Sequence, residues 1–223
     1  MRFHNIAALL IDLDGTLLDT VADLAAAANG VRADAGLPPL PQARIATFVG
    51  KGADVLIHRA LTDSADGQAP EALFAAGRRS FDAHYLRENG RSARPYDGVR
   101  EGLDAFRARG LRLACVTNKP QRFADDLLAR QQLADRFEIV IGGDALPLRK
   151  PDPLPLVHVA ERFGLPVQRC LMLGDSGNDA LAARAAGMPV LLVPYGYNEG
   201  HDVAAIDCDG IVESLLNVAD LLD

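Results

Sequence analysis

Ile6-Ala7-Ala8-Leu9-Leu10-Ile11 runs directly into Asp12-Leu13-Asp14-Gly15-Thr16. Six apolar residues without alternation predict a strand buried on both faces of a parallel sheet, not one with a wet face. The acidic pair, glycine and hydroxyl that follow place a polar turn at the end of that strand. Comparable apolar runs recur at 111–117, 137–141, 170–173 and 190–193. Helical patterns at 98–109, 123–132, 154–163 and 180–186 lie between them, with Gly110, Gly164 and Gly187 as stops. Strands alternating with helices of this length predict an α/β fold, a doubly wound (Rossmann-like) parallel sheet with right-handed crossovers.

One segment departs from this alternation. Between residues 18 and 89 no strand pattern appears, only helical stretches at 21–35, 42–48, 53–61 and 70–87. Helices inserted after a first strand read as a small all-helical cap. The expected organisation is a catalytic core of residues 1–17 plus 90–223 and a cap of residues 18–89. Its hinges fall near 17–20 and 89–96.

Composition narrows the function. The 223 residues carry a formal net charge of −7, the opposite of the basic surface a nucleic-acid binder shows. No stretch is long enough to span a bilayer. The run at 6–11 is followed by acidic residues and not by a small-residue cleavage site, so the cytoplasm is the expected location. Cys115, Cys170 and Cys208 are too few and too scattered for a disulfide framework or a zinc site, and the five histidines show no ligand spacing. The expected partner is a small molecule, with neither nucleic acid nor membrane; nothing in the sequence specifies an oligomeric state.

In open α/β sheets ligands bind beyond the carboxyl ends of the strands. The polar residues there are Asp12 and Asp14, then Thr117-Asn118-Lys119, then Gly142-Gly143-Asp144, then Gly174-Asp175, with Lys150 in the loop after the third run. A D-x-D-G-T string occurs by chance at roughly one position in 10⁵ at average residue frequencies. In Asp12-Leu13-Asp14-Gly15-Thr16 the chain resembles the haloacid dehalogenase-like hydrolase superfamily, and it matches that family's four motifs in order over essentially its whole length.

A carboxylate that attacks a phosphate dianion needs charge compensation. Mg²⁺ suits this, since it takes oxygen ligands and needs few protein carboxylates. The resemblance implies that Asp12 is the nucleophile and a metal ligand. It implies that Asp14 is the general acid/base and lends its backbone carbonyl to the metal. Gly15 lets backbone amides approach the phosphoryl group. Thr117 offers a hydroxyl to a phosphate oxygen and Asn118 further donors, in a run that resembles the family's second motif. Lys150, before Pro151, supplies an ammonium that pairs with Asp12 and stabilises phosphoryl charge. Asp175 looks like the family's metal carboxylate. Asp179 lies one turn along a starting helix on the same side, where it holds the metal's water shell or ligates directly. Helix capping is the competing role for these two acids.

The cap bears on substrate. A small helical cap in this superfamily suits small soluble phosphates. The stretches 50–56, 117–120, 141–144 and 195–200 resemble bacterial phosphoglycolate phosphatases; no physical role for Tyr195-Gly196-Tyr197-Asn198-Glu199-Gly200 can be read from sequence. The resemblance implies hydrolysis of 2-phosphoglycolate, whose carboxylate calls for a cation in the cap: Lys51 between two glycines first, Arg59 second. Asp152-Pro153-Leu154-Pro155 stands where many relatives carry His-Pro-Asp-Pro after the Lys-Pro step. A sugar-phosphate phosphatase or a phosphomutase is the alternative. Dehalogenation is disfavoured, since relatives with that chemistry lack the second aspartate.

Overall fold

The computed structural model describes residues 2–223. In chain order its elements are β1 (Ala8–Ile11), β2 (Leu18–Asp19), α1 (Val21–Asp34), α2 (Gln42–Ala46), α3 (Ala53–Thr62), α4 (Glu71–Glu88) and β3 (Arg94–Pro95). Then follow α5 (Val99–Ala108), β4 (Arg112–Val116), α6 (Gln121–Arg130), β5 (Ile139–Ile141), α7 (Leu154–Phe163) and β6 (Cys170–Gly174). The chain ends with α8 (Gly177–Ala186), β7 (Val190–Leu192), β8 (Gly210–Ile211) and α9 (Leu215–Val218).

β1 is buried over its whole length and lies inside a six-stranded sheet of order β5-β4-β1-β6-β7-β8, every pairing parallel. Successive side chains of a strand face opposite sides of the sheet. Accordingly Leu9, Ile11, Leu113, Cys115, Leu171 and Leu173 pack with residues of α5, α6 and α9 on one side. Ala8, Leu10, Ala114, Val116, Cys170 and Met172 pack with residues of α7 and α8 on the other. The fold is therefore the doubly wound α/β sheet. β1 sits where the strand order reverses, so its carboxyl end is flanked by those of β4 and β6.

The four helices α1–α4 have an apolar cluster of their own, centred on Val31, Ile45, Phe48, Ile57 and Phe81, to which Phe123 and Tyr197 from outside the insert also belong. The chain enters and leaves this bundle through an antiparallel ribbon in which Leu18 pairs with Pro95 and Asp19 with Arg94. This ribbon, at the expected hinges, differs from the strand-free reading of the insert; two residues per strand are too few to leave a pattern. β8 and α9 were likewise too short to be foreseen. A clasp joins the two crossings. Asp23, buried in the first turn of α1, accepts hydrogen bonds from the backbone amides of Gly90 (2.9 Å), Ser92 (2.7 Å) and Ala93 (3.1 Å).

Cys115 and Cys170 are buried and Cys208 is half-buried, all three as free thiols. Among the described residues no helix is long and apolar enough to cross a membrane.

Candidate active site

β1 ends at Ile11, so Asp12 stands just past the sheet with its amide still bonded to the carbonyl of Leu173 on β6 (2.9 Å). Its Oδ1 accepts from the amide of Leu13 (2.7 Å) and lies 3.0 Å from Nζ of Lys150. Lys150 arrives from the β5–α7 loop and is almost wholly buried; its ammonium also donates to Asp179 (2.7 Å) and to the carbonyl of Val116 at the end of β4 (2.6 Å). A single cation thus ties the ends of β1 and β4 to the start of α8.

Asp175 follows β6 and Asp179 lies in the first turn of α8. Asp179 Oδ2 accepts from the amide and hydroxyl of Ser176 (3.1 and 2.8 Å) while its Oδ1 takes Lys150. Helix capping and the charged contact are therefore made by different oxygens of one carboxylate. Asp175 accepts from Thr16 Oγ1 (2.8 Å) and from the amide of Tyr197. Carboxylate oxygens of Asp12, Asp175 and Asp179 come within 4.8 Å of one another.

Burial raises the carboxyl of Asp12 from 3.8 to about 7; Lys150 opposes the shift and Asp179 adds to it. Burial pushes Asp175 well up too, reinforced by the charges of Asp179 and Asp12. Gly15 abuts this cluster. It has a φ of +90°, and a Cβ there would lie 2.3 Å from Asp175 Oδ2. Its own amide is bonded to the carbonyl of Leu18 (2.9 Å), which closes the turn. The glycine is thus required by the neighbouring carboxylate, and its N–H is not free for a phosphate.

Asp14 is placed differently from the other three acids. Its carboxylate accepts from Lys119 Nζ (2.9 and 3.0 Å) and Thr20 Oγ1 (2.7 Å), and it does not join the cluster. Lys119, buried, donates also to the hydroxyl of Tyr85 on α4 and lies 4.8 Å from the centre of that ring. Sequence reasoning gave Lys119 no role of its own, although it stands next to Thr117 and Asn118 in the motif. Thr117 accepts from the Lys119 amide (3.2 Å). Asn118 spends its amide donors on the carbonyls of Gly50 (3.0 Å) and Lys150 (2.8 Å), leaving its buried Oδ1 without a partner. Both donors being engaged, the bridge to the insert, and not donation to a leaving group, is what this geometry displays.

A cleft lies over Asp12 and Asp14. Thr117, Asn118 and Lys119 line its floor; Val49, Gly50, Leu56, Phe81 and Tyr85 line its roof. Lys51 and Arg59 do not line it. Both meet Glu199, Lys51 at 3.0 Å and Arg59 at 2.6 Å, and Arg59 spends further donors on the carbonyls of Phe48 and Ala65. The string 195–200 thereby acquires a structural role. Tyr197 holds Asp175 through its amide, its hydroxyl donates to Asp19 and accepts from the amides of Thr20 (2.7 Å) and Val21 (3.0 Å), and Glu199 grips the insert.

An aspartate at a strand end, a buried lysine and an acidic cluster under a helical roof make up the candidate site. The model of the haloacid dehalogenase-like hydrolases matches residues 6–187. The chain is 49% identical to a phosphoglycolate phosphatase of Nitrosospira multiformis over 97% of its own length and 96% of the relative's. It is 49% identical to another from Thiobacillus denitrificans, covering 96% and 94%. A crystal structure of a predicted phosphoglycolate phosphatase from Haemophilus somnus superposes with a TM-score of 0.91 at 34% identity, covering 97% of each chain. The chain belongs to the haloacid dehalogenase-like hydrolase family. Within it, the protein is a phosphatase, a phosphoric monoester hydrolase.

Proposed function

We propose that the protein is a Mg²⁺-dependent phosphatase that hydrolyses 2-phosphoglycolate to glycolate and inorganic phosphate through an aspartyl-phosphate on Asp12. The observation that carries the mechanism is the placement of Asp12 at the cleft floor, 3.0 Å from the Lys150 ammonium and beside two further buried acids. The substrate is supported by the relatives' activity over nearly the whole chain.

The donor set fits a hard divalent cation. Asp12, Asp175 and Asp179 offer only oxygens, the preference of Mg²⁺ over softer metals. Ionised together, three carboxylates against one ammonium would leave the buried cluster two negative charges in excess, which a divalent cation balances. Asp12, Asp175 and Asp179 would hold the ion, with the backbone carbonyl of Asp14; when bound it would neutralise the phosphate and lower the repulsion felt by the nucleophile.

Asp12 attacks phosphorus, and the bond from phosphorus to the glycolate oxygen breaks. Asp14 gives its proton to the departing alkoxide. In the second step Asp14 takes a proton from water as that water attacks the aspartyl-phosphate. The phosphorus–Asp12 bond breaks and phosphate leaves. Lys150 keeps Asp12 oriented and stabilises charge on the phosphoryl oxygens. Lys119 holds the Asp14 carboxylate on the cleft side of the floor.

The apolar roof favours a small substrate over a sugar phosphate, since Val49, Leu56 and Phe81 offer hydroxyl groups no partners. The test is turnover of 2-phosphoglycolate and a panel of sugar phosphates with Mg²⁺ present or chelated. Expected is a higher kcat/KM for phosphoglycolate, lost on chelation; a sugar phosphate turned over with much higher kcat/KM would overturn the substrate.

A further inference from the structure

Phosphoglycolate carries two anionic ends, and the structure already engages most of the cations near the cleft. Lys150 is taken by Asp12 and Asp179, and Lys119 by Asp14. In the insert, Arg59 and Lys51 share Glu199. A carboxylate arriving beside the phosphate would have to compete for each of these.

Arg149 is different. It is half-buried, yet among the described residues its guanidinium makes no ion pair and no hydrogen bond. It lies in a groove with Lys51 and Val55 on one wall and Leu148 on the other. Gly52, the neighbour of the groove residue Lys51, lines the catalytic cleft together with Asp12. A Cβ on Gly52 would be 3.1 Å from a terminal nitrogen of Arg149 and 3.1 Å from the Asn118 carbonyl oxygen on the cleft floor. The guanidinium therefore stands at the seam between groove and cleft, and a side chain on residue 52 would crowd it.

We propose that Arg149 is the specificity-determining residue of this phosphatase and takes the carboxylate of the substrate, with Lys51 beside it in the groove. This inference rests on the phosphoglycolate reading. A guanidinium presents two parallel N–H donors matched to the two oxygens of a carboxylate. Its position next to Lys150 in the chain divides the labour. One side chain of the pair turns inward to the nucleophile and its neighbour lies at the rim, where the far end of a short phosphate ester emerges. Gly50 and Gly52, both at positive φ, let the backbone between the two sites run close to both.

The test compares 2-phosphoglycolate with 2-hydroxyethyl phosphate, which replaces the carboxylate by a neutral hydroxymethyl group. Wild type, Arg149→Ala and Arg149→Lys are assayed with Mg²⁺, their melting temperatures confirming intact folds. Arg149→Ala should raise KM for phosphoglycolate about 10- to 100-fold and leave kinetics on hydroxyethyl phosphate within about twofold, the range expected for a charged hydrogen bond. Arg149→Lys should recover part of the loss. Equal changes on both substrates, or no change on either, would overturn the assignment while a wild-type preference for phosphoglycolate left the substrate reading standing. Absence of that preference in wild type would instead remove the substrate reading, and this inference with it.

Discussion

The floor and the roof of the cleft are built on opposite principles. On the floor, Asp12, Asp175 and Asp179 crowd three carboxylates around the single ammonium of Lys150 in a nearly water-free space. At the roof, opposite charges are paired: Glu199 bridges Arg59 and Lys51, and the face turned to the cleft is apolar. The floor concentrates like charge at a cost in stability, because desolvation and repulsion both disfavour the ionised acids. The roof and its attachments stabilise the fold and position the insert. Substitutions should therefore separate activity from stability in opposite directions at the two places.

The largest effect is expected at the nucleophile. Asp12→Asn removes both the attacking oxygen and one of the crowded charges, so turnover should fall by several orders of magnitude. The metal-free variant should nevertheless melt higher than wild type at neutral pH, because Lys150 then faces fewer unbalanced acids. Phosphate release at near wild-type rate would remove Asp12 from the mechanism. A lower melting temperature would show that the floor is not strained by its charge.

The second prediction concerns pH. Asp12 titrates near 3.8 when exposed and at about 7 in the fold, so between those values the folded chain holds more protons than the unfolded one. Stability of the metal-free protein should then fall as pH rises from about 4 to 7, and Asp175, raised by the same burial, adds to the decline. Saturating Mg²⁺ should remove most of that decline by taking the place of the proton, and Asp12→Asn should make it shallower without metal. Thermal melts across this range, with and without Mg²⁺, give the slope. A stability rising with pH in the metal-free wild type, with no change in Asp12→Asn, would contradict the crowded-acid description.

The same contrast explains what could be read in the sequence. The floor is made at strand ends, where the hydrophobic pattern stops and the next polar residue falls on the rim. Asp12, Thr117 and Asp175 could thus be placed from the apolar runs before them, and Lys150 from its motif. The roof depends on pairings across the chain. Glu199 meets Arg59 from 140 residues away, and nothing local marks either as the other's partner. Lys51 and Arg59 consequently read as free cations. Lys119 was hidden for a related reason: its partners Asp14 and Tyr85 come from the first strand end and from the insert. Gly15 reads in the sequence as a glycine for close phosphoryl approach, whereas in the structure the Asp175 carboxylate, 160 positions on, leaves no room for a Cβ.

The smallest expected effect tests the strap between floor and roof. Tyr197→Phe keeps the ring, which packs in the cluster of the insert, and the backbone amide that holds Asp175, and removes only the hydroxyl. That hydroxyl accepts from the amides of Thr20 and Val21 where α1 begins, and Thr20 is wholly buried. The variant leaves the Thr20 amide without its acceptor, while the Val21 amide keeps Asp19 Oδ1 (3.3 Å), and a buried orphaned N–H costs about 1–3 kcal/mol. Denaturant unfolding should register a loss of about 2 kcal/mol, while kcat on a carboxylate-free phosphate changes by less than about threefold, since Asp12, Asp14 and Lys150 keep their partners. If kcat instead falls as steeply as in a floor substitution, the hydroxyl contributes to the chemistry through Asp19 and the start of α1. The division between a reactive floor and a stabilising roof would then have to be redrawn with the hinge on the catalytic side.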